Sequence, residues 1–344
     1  MSAPRSKSWH LPAGCTSADQ LSMIEVPKPV PGPDEVLIRM RANSLNFRDQ
    51  AITRGHYFGG PIKSDCTPLS DGAGVIEAIG ANVKNFAVGD RVAGTFFQGW
   101  SEGPPTPALG EALGAPPAKG MLAEYVALPA TGVIKIAISL SFEQAATLPC
   151  AGVTAWNALN KGIRPLTRGS SVLLIGAGGV SLLALQIAKA AGARVIATSS
   201  SEAKLERLRE LGADATINYR TETNWGAKAA ALAGGGVNHV VEVGGLGTLS
   251  QSLQAVGFGG EVALIGVLSM QGDTNPMSLM VKGASLRGIF VGSAAMAVEL
   301  NQFMDRHKVK PVVDRVFRFE DARAAYSYQS SSDLFGKVVI NYPD

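Results

Sequence analysis

One segment constrains the fold of this chain more than any other. Residues 172–204 read VLLIGAGGVSLLALQIAKAAGARVIATSSSEAK. An apolar run of strand length is followed by a glycine turn, a helix that stops at Gly192, and a second apolar strand. Such a βαβ unit belongs to a parallel sheet. Gly176 suits the tight turn. Gly178 leaves the backbone open to a pyrophosphate. Beyond Gly179, a helix beginning near Val180 aims its N–H groups and positive dipole end at phosphates. The third glycine position holds Ser181, which is small enough for a helix to pack on a strand. A Gly-x-Gly-x-x-Ser spacing is weak alone; between a strand and a helix it predicts dinucleotide binding.

The tip of the second strand indicates which dinucleotide. An acid about twenty residues beyond the glycines would bind a ribose 2′-hydroxyl and repel a 2′-phosphate. Here Thr198-Ser199-Ser200-Ser201 occupies the tip. Ser199, Ser200 and Lys204 are the expected 2′-phosphate ligands, although Lys204 also reads as a solvated helix-face lysine. Glu202 falls in the first helical turn, where the helix dipole accounts for it. NADPH is therefore expected in preference to NADH.

The flanking sequence sets the domain plan. At 344 residues the chain is long enough for two domains. From about 150, strands alternate with helices: 194–198, 201–214, 215–219, 239–245, 247–257, 261–268 and 286–292, as in a doubly wound parallel sheet. Before 150, short strands over 36–45, 71–80 and 89–94 are cut by glycine turns. Residues 97–120 form a Gly/Pro-rich excursion. After 293, helix and strand alternate again. The expected division is 1–149 with 293–344, and 150–292. The net charge of +3 is spread without a basic block, which gives no reason to expect nucleic acid or a membrane surface. The three cysteines form no CxxC pair, and a reducing cytoplasm is the expected setting. No apolar run reaches membrane-spanning length. His10, His56, His239 and His307 lack metal-ligand spacing.

Seven landmarks then converge: NSLNFRD (43–49), DGAGVIEAIGANVKNFAVGDRV (71–92), LPCAGVTAW (148–156), the glycine turn, LGADATINYR (211–220), HVVEVGG (239–245) and FGKVVI (335–340). Together they resemble the medium-chain dehydrogenase/reductases, in the zinc-independent, quinone-oxidoreductase-like branch, over nearly the whole chain. The resemblance implies an α/β fold, a Rossmann doubly wound parallel sheet inserted in a GroES-like β-rich catalytic domain. It also implies a homodimer joined at the last Rossmann strand. Zinc-dependent members hold a catalytic metal with Cys, His and Cys beside a Glu. The matching positions are Asn46, Ser70-Asp71 and Cys150, so only one soft ligand remains and no metal is expected. The excursion also lacks the four cysteines of the structural zinc lobe.

The resemblance further implies site residues. Tyr57 would be the substrate-side tyrosine and proton donor, with Asn46 and Asp49 lining the cleft. Thr154, Gly266, Val267, Val291 and Gly292 would lie near the nicotinamide, with Asn46 and Lys337 on the same side. Tyr219 would flank the 2′-phosphate. The expected activity is hydride transfer to a quinone, enone or related small acceptor. An alcohol dehydrogenase or aldehyde reductase is the alternative, and a non-catalytic NADPH-binding protein a third reading.

Overall fold

A computed structural model describes residues 4–57, 60–266, 268–269 and 271–343. The chain divides into two compact units, Met1–Val153 with Gly292–Asp344, and Thr154–Val291. The first boundary lies a few residues beyond the one expected. Residues 150–153 stay with the first unit because the π-helical turn Leu148–Gly152 is tied into it. The Cys150 N–H donates to Asp71 Oδ2 at 3.1 Å, and Gly152 lies tight against Leu148 and Leu300.

In chain order, the first unit contains β1 (Arg5–His10), β2 (Ser22–Pro27), β3 (Glu35–Ser44), α1 (Phe47–Thr53), β4 (Asp71–Ile79), β5 (Arg91–Gly94), β6 (Tyr125–Pro129), β7 (Val133–Lys135) and α2 (Phe142–Ala145). The second unit follows: α3 (Val153–Asn160), β8 (Ser171–Ile175), α4 (Gly179–Ala190), β9 (Arg194–Ser199), α5 (Glu202–Glu210), β10 (Ala215–Asn218), α6 (Trp225–Leu232), β11 (Val237–Glu242), α7 (Leu246–Ala255), β12 (Val256–Leu264), α8 (Met277–Lys282) and β13 (Ser285–Gly288). The chain then returns to the first unit with α9 (Ala294–His307), β14 (Val313–Arg318), α10 (Ala322–Gln329) and β15 (Lys337–Asn341).

The first unit is built on a sheet ordered β14-β15-β3-β4-β5-β7, with β6 also paired to β3. Strand β3 is central because it is apolar along most of its length. Val36, Ile38 and Met40 pack with Ile76, Val92, Met121, Val126 and Leu128 in one core. A second core gathers Trp9, Leu11, Leu45, Ile52, Phe319, Tyr326 and Val338, with Tyr57 packed against it. The excursion at 97–120 is pinned at its base. Phe97, Trp100 and Leu113 are buried, and Arg48 Nη1 donates to Leu113 O at 2.6 Å.

The second unit carries a six-stranded sheet ordered β10-β9-β8-β11-β12-β13, parallel throughout. This is the Rossmann order, with its switch point between β8 and β11. Strands β8 and β9 are covered on both faces and so read as unbroken apolar runs. Strand β12 begins earlier than the expected 261. Its glycines resemble a turn in sequence, and Gly259 does take φ +64°, yet Gly257 serves close strand packing: a Cβ on Gly236 would lie 2.3 Å from Gly257 Cα. Strand β13 ends at Gly288, short of the expected 292. Among the described residues, no helix is long and apolar enough to cross a membrane.

Candidate active site

The cofactor-binding candidates gather at the carboxyl ends of β8, β9 and β10. Gly176 takes φ +74°, a conformation that disfavours side chains, and turns the chain out of β8. Gly178 caps α4. A Cβ at either glycine would meet no atom within 4 Å, so the backbone there borders open space. The N–H groups of Gly179, Val180 and Ser181 precede the first helical bond, from Leu182 N to Gly178 O. These are the groups a pyrophosphate would use. The Ser181 hydroxyl is buried and donates to Ile175 O at 2.7 Å, clamping the helix to the strand.

At the β9 tip, Ser199 Oγ accepts the Ser201 N–H, and Ser201 in turn caps α5 through the Lys204 N–H. Ser200 and Lys204 are half-buried. Tyr219 follows β10, donates its N–H to Ser199 O at 3.2 Å and exposes its ring. The Glu202 carboxylate accepts from Asn218 Nδ2, and Asn218 is the register partner of Ser199. Ser199, Ser200, Lys204 and Tyr219 are thus brought together, with the Glu202 carboxylate tied to Asn218 beside them.

Other expected residues have structural explanations of their own. Thr154 is buried in α3. A Cβ on Gly266 would stand 1.5 Å from Val243 O, so this glycine exists for close backbone packing. Gly266→Ala should cost more than about 3 kcal/mol of stability, as other severe backbone clashes do. Thermal melting of the variant checks this, and an unchanged melting temperature would contradict it. Val291 adopts φ +58°, rare for a β-branched residue, and its carbonyl accepts from Asn157 Nδ2 at 2.7 Å. Gly292 begins the return to the first unit. Val267 lies outside the described residues. Sequence reasoning missed Glu242, a fully buried acid closing β11. It accepts the Gly244 and Gly245 N–H groups and the Thr248 and Ser252 hydroxyls. Its only sequence signal is a lone acid in the apolar run HVVEVGG.

The first unit assembles a buried polar cluster. Antiparallel pairing sets Ser44 of β3 opposite Val339 of β15, and Leu45 N donates to Val338 O. That register delivers Lys337 to the residues just after β3. Its ammonium donates to Leu45 O and to Asn46 Oδ1, the latter at 2.6 Å. These two bonds tie the Lys337 side chain to Leu45 and Asn46, the latter expected on the same side as Lys337. Asn46 Nδ2 lies 3.5 Å from Ser70 Oγ, and Ser70 donates to Asp71 Oδ1 at 2.8 Å. Asp49 Oδ2 accepts the Asn46 N–H at 2.7 Å, while its buried Oδ1 has no hydrogen-bond partner. The Arg48 guanidinium lies 4.9 Å from the Tyr57 ring centre and 5.1 Å from that of Phe96. Asn46, Asp49 and Lys337 therefore share one network, with Tyr57 joined to its edge through Arg48.

Burial governs the protonation of this cluster. It pushes Asp49 up to about 6, against the pull of Arg48 and the Asn46 N–H. Burial also raises Asp71, opposed by Lys337, Asn46, Ser70 and the Cys150 N–H. It raises the Cys150 thiol, with Asp71 adding to the effect, and lowers Lys337, with Asp71 opposing. The Tyr57 phenol is likewise raised by burial and drawn back by Arg48.

A fold that pairs this β-rich unit with a Rossmann sheet is that of the alcohol dehydrogenase-like oxidoreductases, and comparison with known proteins agrees. Residues 32–138 match the family profile described as alcohol dehydrogenase GroES-like domain, and residues 179–306 that described as zinc-binding dehydrogenase. A zinc-type alcohol dehydrogenase-like protein of Schizosaccharomyces pombe is 42% identical over 327 residues, covering 92% of this chain and 93% of its own. The 2-methylene-furan-3-one reductase of Solanum lycopersicum is 32% identical over 312 residues, covering 90% and 72%. The crystal structure of a putative alcohol dehydrogenase from Sinorhizobium meliloti superposes with a TM-score of 0.89 at 39% identity, covering 99% and 100%. The chain belongs to the medium-chain dehydrogenase/reductase superfamily, alcohol-dehydrogenase-like.

Proposed function

We propose that the chain is a zinc-independent, NADPH-dependent oxidoreductase acting on a quinone, an enone or a related conjugated carbonyl. The carrying observation is the Lys337 ammonium on Asn46 Oδ1. A cation already claims one of the matching positions. Asp71 engages Ser70 and the Cys150 N–H through its two oxygens, which leaves Cys150 as the one soft donor among the matching positions. Among the described residues, no group of three or more His, Cys, Asp or Glu could hold a metal. This donor set does not fit zinc.

Without a Lewis acid, interconversion of alcohol and aldehyde loses the partner of its developing alkoxide. A conjugated acceptor spreads that charge and needs it less. The relative named as a 2-methylene-furan-3-one reductase supports this acceptor class. When bound, the nicotinamide cofactor supplies hydride. Gly176, Gly178 and the first turn of α4 would hold its pyrophosphate, and Ser199, Ser200, Lys204 and Tyr219 would hold its 2′-phosphate end. Asn46 orients the acceptor, and Tyr57 returns a proton.

The deciding experiment follows NADPH consumption with an enone, a quinone and an aldehyde, with and without chelator, beside elemental analysis. Turnover of the first two without zinc is expected. One tightly bound zinc per chain, with turnover confined to the aldehyde, would favour the zinc-type alcohol dehydrogenase reading. No turnover of any of the three would point to a non-catalytic binding protein.

We also propose that the chain forms a homodimer through β13, the edge strand of its sheet. Leu286 and Phe290, with Met277, Met280 and Val281 of α8, are apolar side chains left exposed. An apolar sheet edge of this kind favours pairing. Light scattering at micromolar concentration should give twice the chain mass; a monomer mass would refute the pairing.

A further inference from the structure

The orientation of one carboxamide decides what the buried cluster offers an acceptor. An ammonium has no lone pair, so the oxygen of Asn46, not its nitrogen, faces Lys337 Nζ. Asn46 Nδ2 then donates to Ser70 Oγ, whose hydroxyl donates onward to Asp71 Oδ1. Donor and acceptor alternate from Lys337 through Asn46 and Ser70 to the Asp71 carboxyl. Each link polarises the next in the same sense. Asn46, Ser70, Asp71 and Lys337 are all buried, so water screens the chain weakly. Nδ2 carries two hydrogens: Ser70 takes one, and the other is the one the Asn46 side chain can offer to Asp71 or to an acceptor that competes with it.

We propose that Lys337 is a positioning residue: by holding the Asn46 carboxamide it presents the second Nδ2 hydrogen as a fixed donor to the acceptor's carbonyl oxygen. This rests on the conjugated-acceptor reading above. The ammonium draws electron density from the amide oxygen and strengthens the N–H as a donor. A neutral amide thereby supplies part of the polarisation that a Lewis acid gives elsewhere. For an enone the balance is as follows. Hydride forms a C–H bond at the β carbon, and the C=C pair shifts toward the carbonyl. Charge gathers on the oxygen facing Asn46, and a proton from Tyr57 or water adds at the α carbon. A bound nicotinamide would supply the hydride with its two electrons, and the enone would gain that hydride and the one proton.

Lys337→Met should lower kcat for an enone by about 10- to 100-fold, the worth of a charge-assisted hydrogen bond, and leave the Kd of NADPH within about twofold. A quinone should suffer less. Asn46→Asp keeps an oxygen against the ammonium but removes the N–H, so it should fold and lose enone turnover to a similar extent. It carries the kinetic test if Lys337→Met fails to fold. The double variant Asn46→Ala/Lys337→Met should be no slower than Asn46→Ala alone; fully multiplicative losses would show that Lys337 acts independently and overturn the proposal. Wild-type enone rates in Asn46→Asp would overturn it too.

A second readout needs no acceptor. In cofactor-free protein labelled with 15N-asparagine, the Asn46 side-chain pair, assigned by its loss in Asn46→Asp, should shift in Lys337→Met. An unmoved pair would refute the orientation itself. Absence of wild-type turnover with enones and quinones would instead remove the functional reading and leave that orientation standing.

Discussion

Tyr57→Phe is expected to slow enone reduction by about 10²–10⁴-fold, the usual cost of losing a positioned proton donor. The ring is held between its core and the Arg48 guanidinium, so the variant should keep the fold and lose only the hydroxyl. Burial raises the phenol, which therefore carries its proton at neutral pH and can deliver it. The affinity for NADPH should stay unchanged, because the hydroxyl is assigned to the acceptor. If it merely orients the acceptor by a hydrogen bond, the loss should be nearer tenfold, from a net worth of about 1 kcal/mol. Quinones accept hydride readily and can take the proton from water, so they should be affected less. Steady-state rates for both acceptors decide the matter: values within twofold of wild type would leave Tyr57 as a packing residue.

Ser199→Asp is expected to reverse the cofactor preference. The wild-type tip of β9 offers hydroxyls and the Lys204 cation, each able to give a 2′-phosphate a charge-assisted hydrogen bond worth about 1.5–3 kcal/mol. A carboxylate at Ser199 removes one such bond and adds repulsion, so NADPH should bind at least about 10- to 100-fold more weakly. NADH should gain, because the carboxylate can accept from a ribose 2′-hydroxyl. Ser199 is buried, but its Oγ accepts the Ser201 N–H and a carboxylate oxygen can do the same; thermal melting of the variant checks that the fold survives. Dissociation constants for both cofactors measure the switch. Equal wild-type affinities, or an unaltered ratio in the variant, would contradict the assignment.

The glycine turn was legible because its parts are contiguous. Strand, turn, helix and strand occupy residues 172–204, and each declares itself by local conformation and periodicity. The Rossmann sheet order also follows the alternation of strands and helices. Other elements were less visible. Helix α6 is a short alanine-rich run with little amphipathic pattern, and α1 lies in a segment with no apolar stripe. The start of β12 was hidden by glycines that serve close strand packing. The excursion at 97–120 read as a loop, and nothing local reveals that Arg48 holds its base.

By itself the sequence determined the family, the two-unit plan and the glycine turn, because these rest on local spacing and on landmarks spread along the whole chain. Tertiary structure alone decided what surrounds Asn46. Lys337 is 291 residues away in sequence and reaches Asn46 only through the antiparallel register of β3 and β15. Asp71 and Cys150 join through separate elements, one from the start of β4 and one from the π-helical turn. Burial then shifts Asp49, Asp71, Cys150, Lys337 and Tyr57, and burial is a property of packing that no single residue carries. The direction in which a carboxamide points is likewise set by the charge placed beside it, and only the folded chain places that charge.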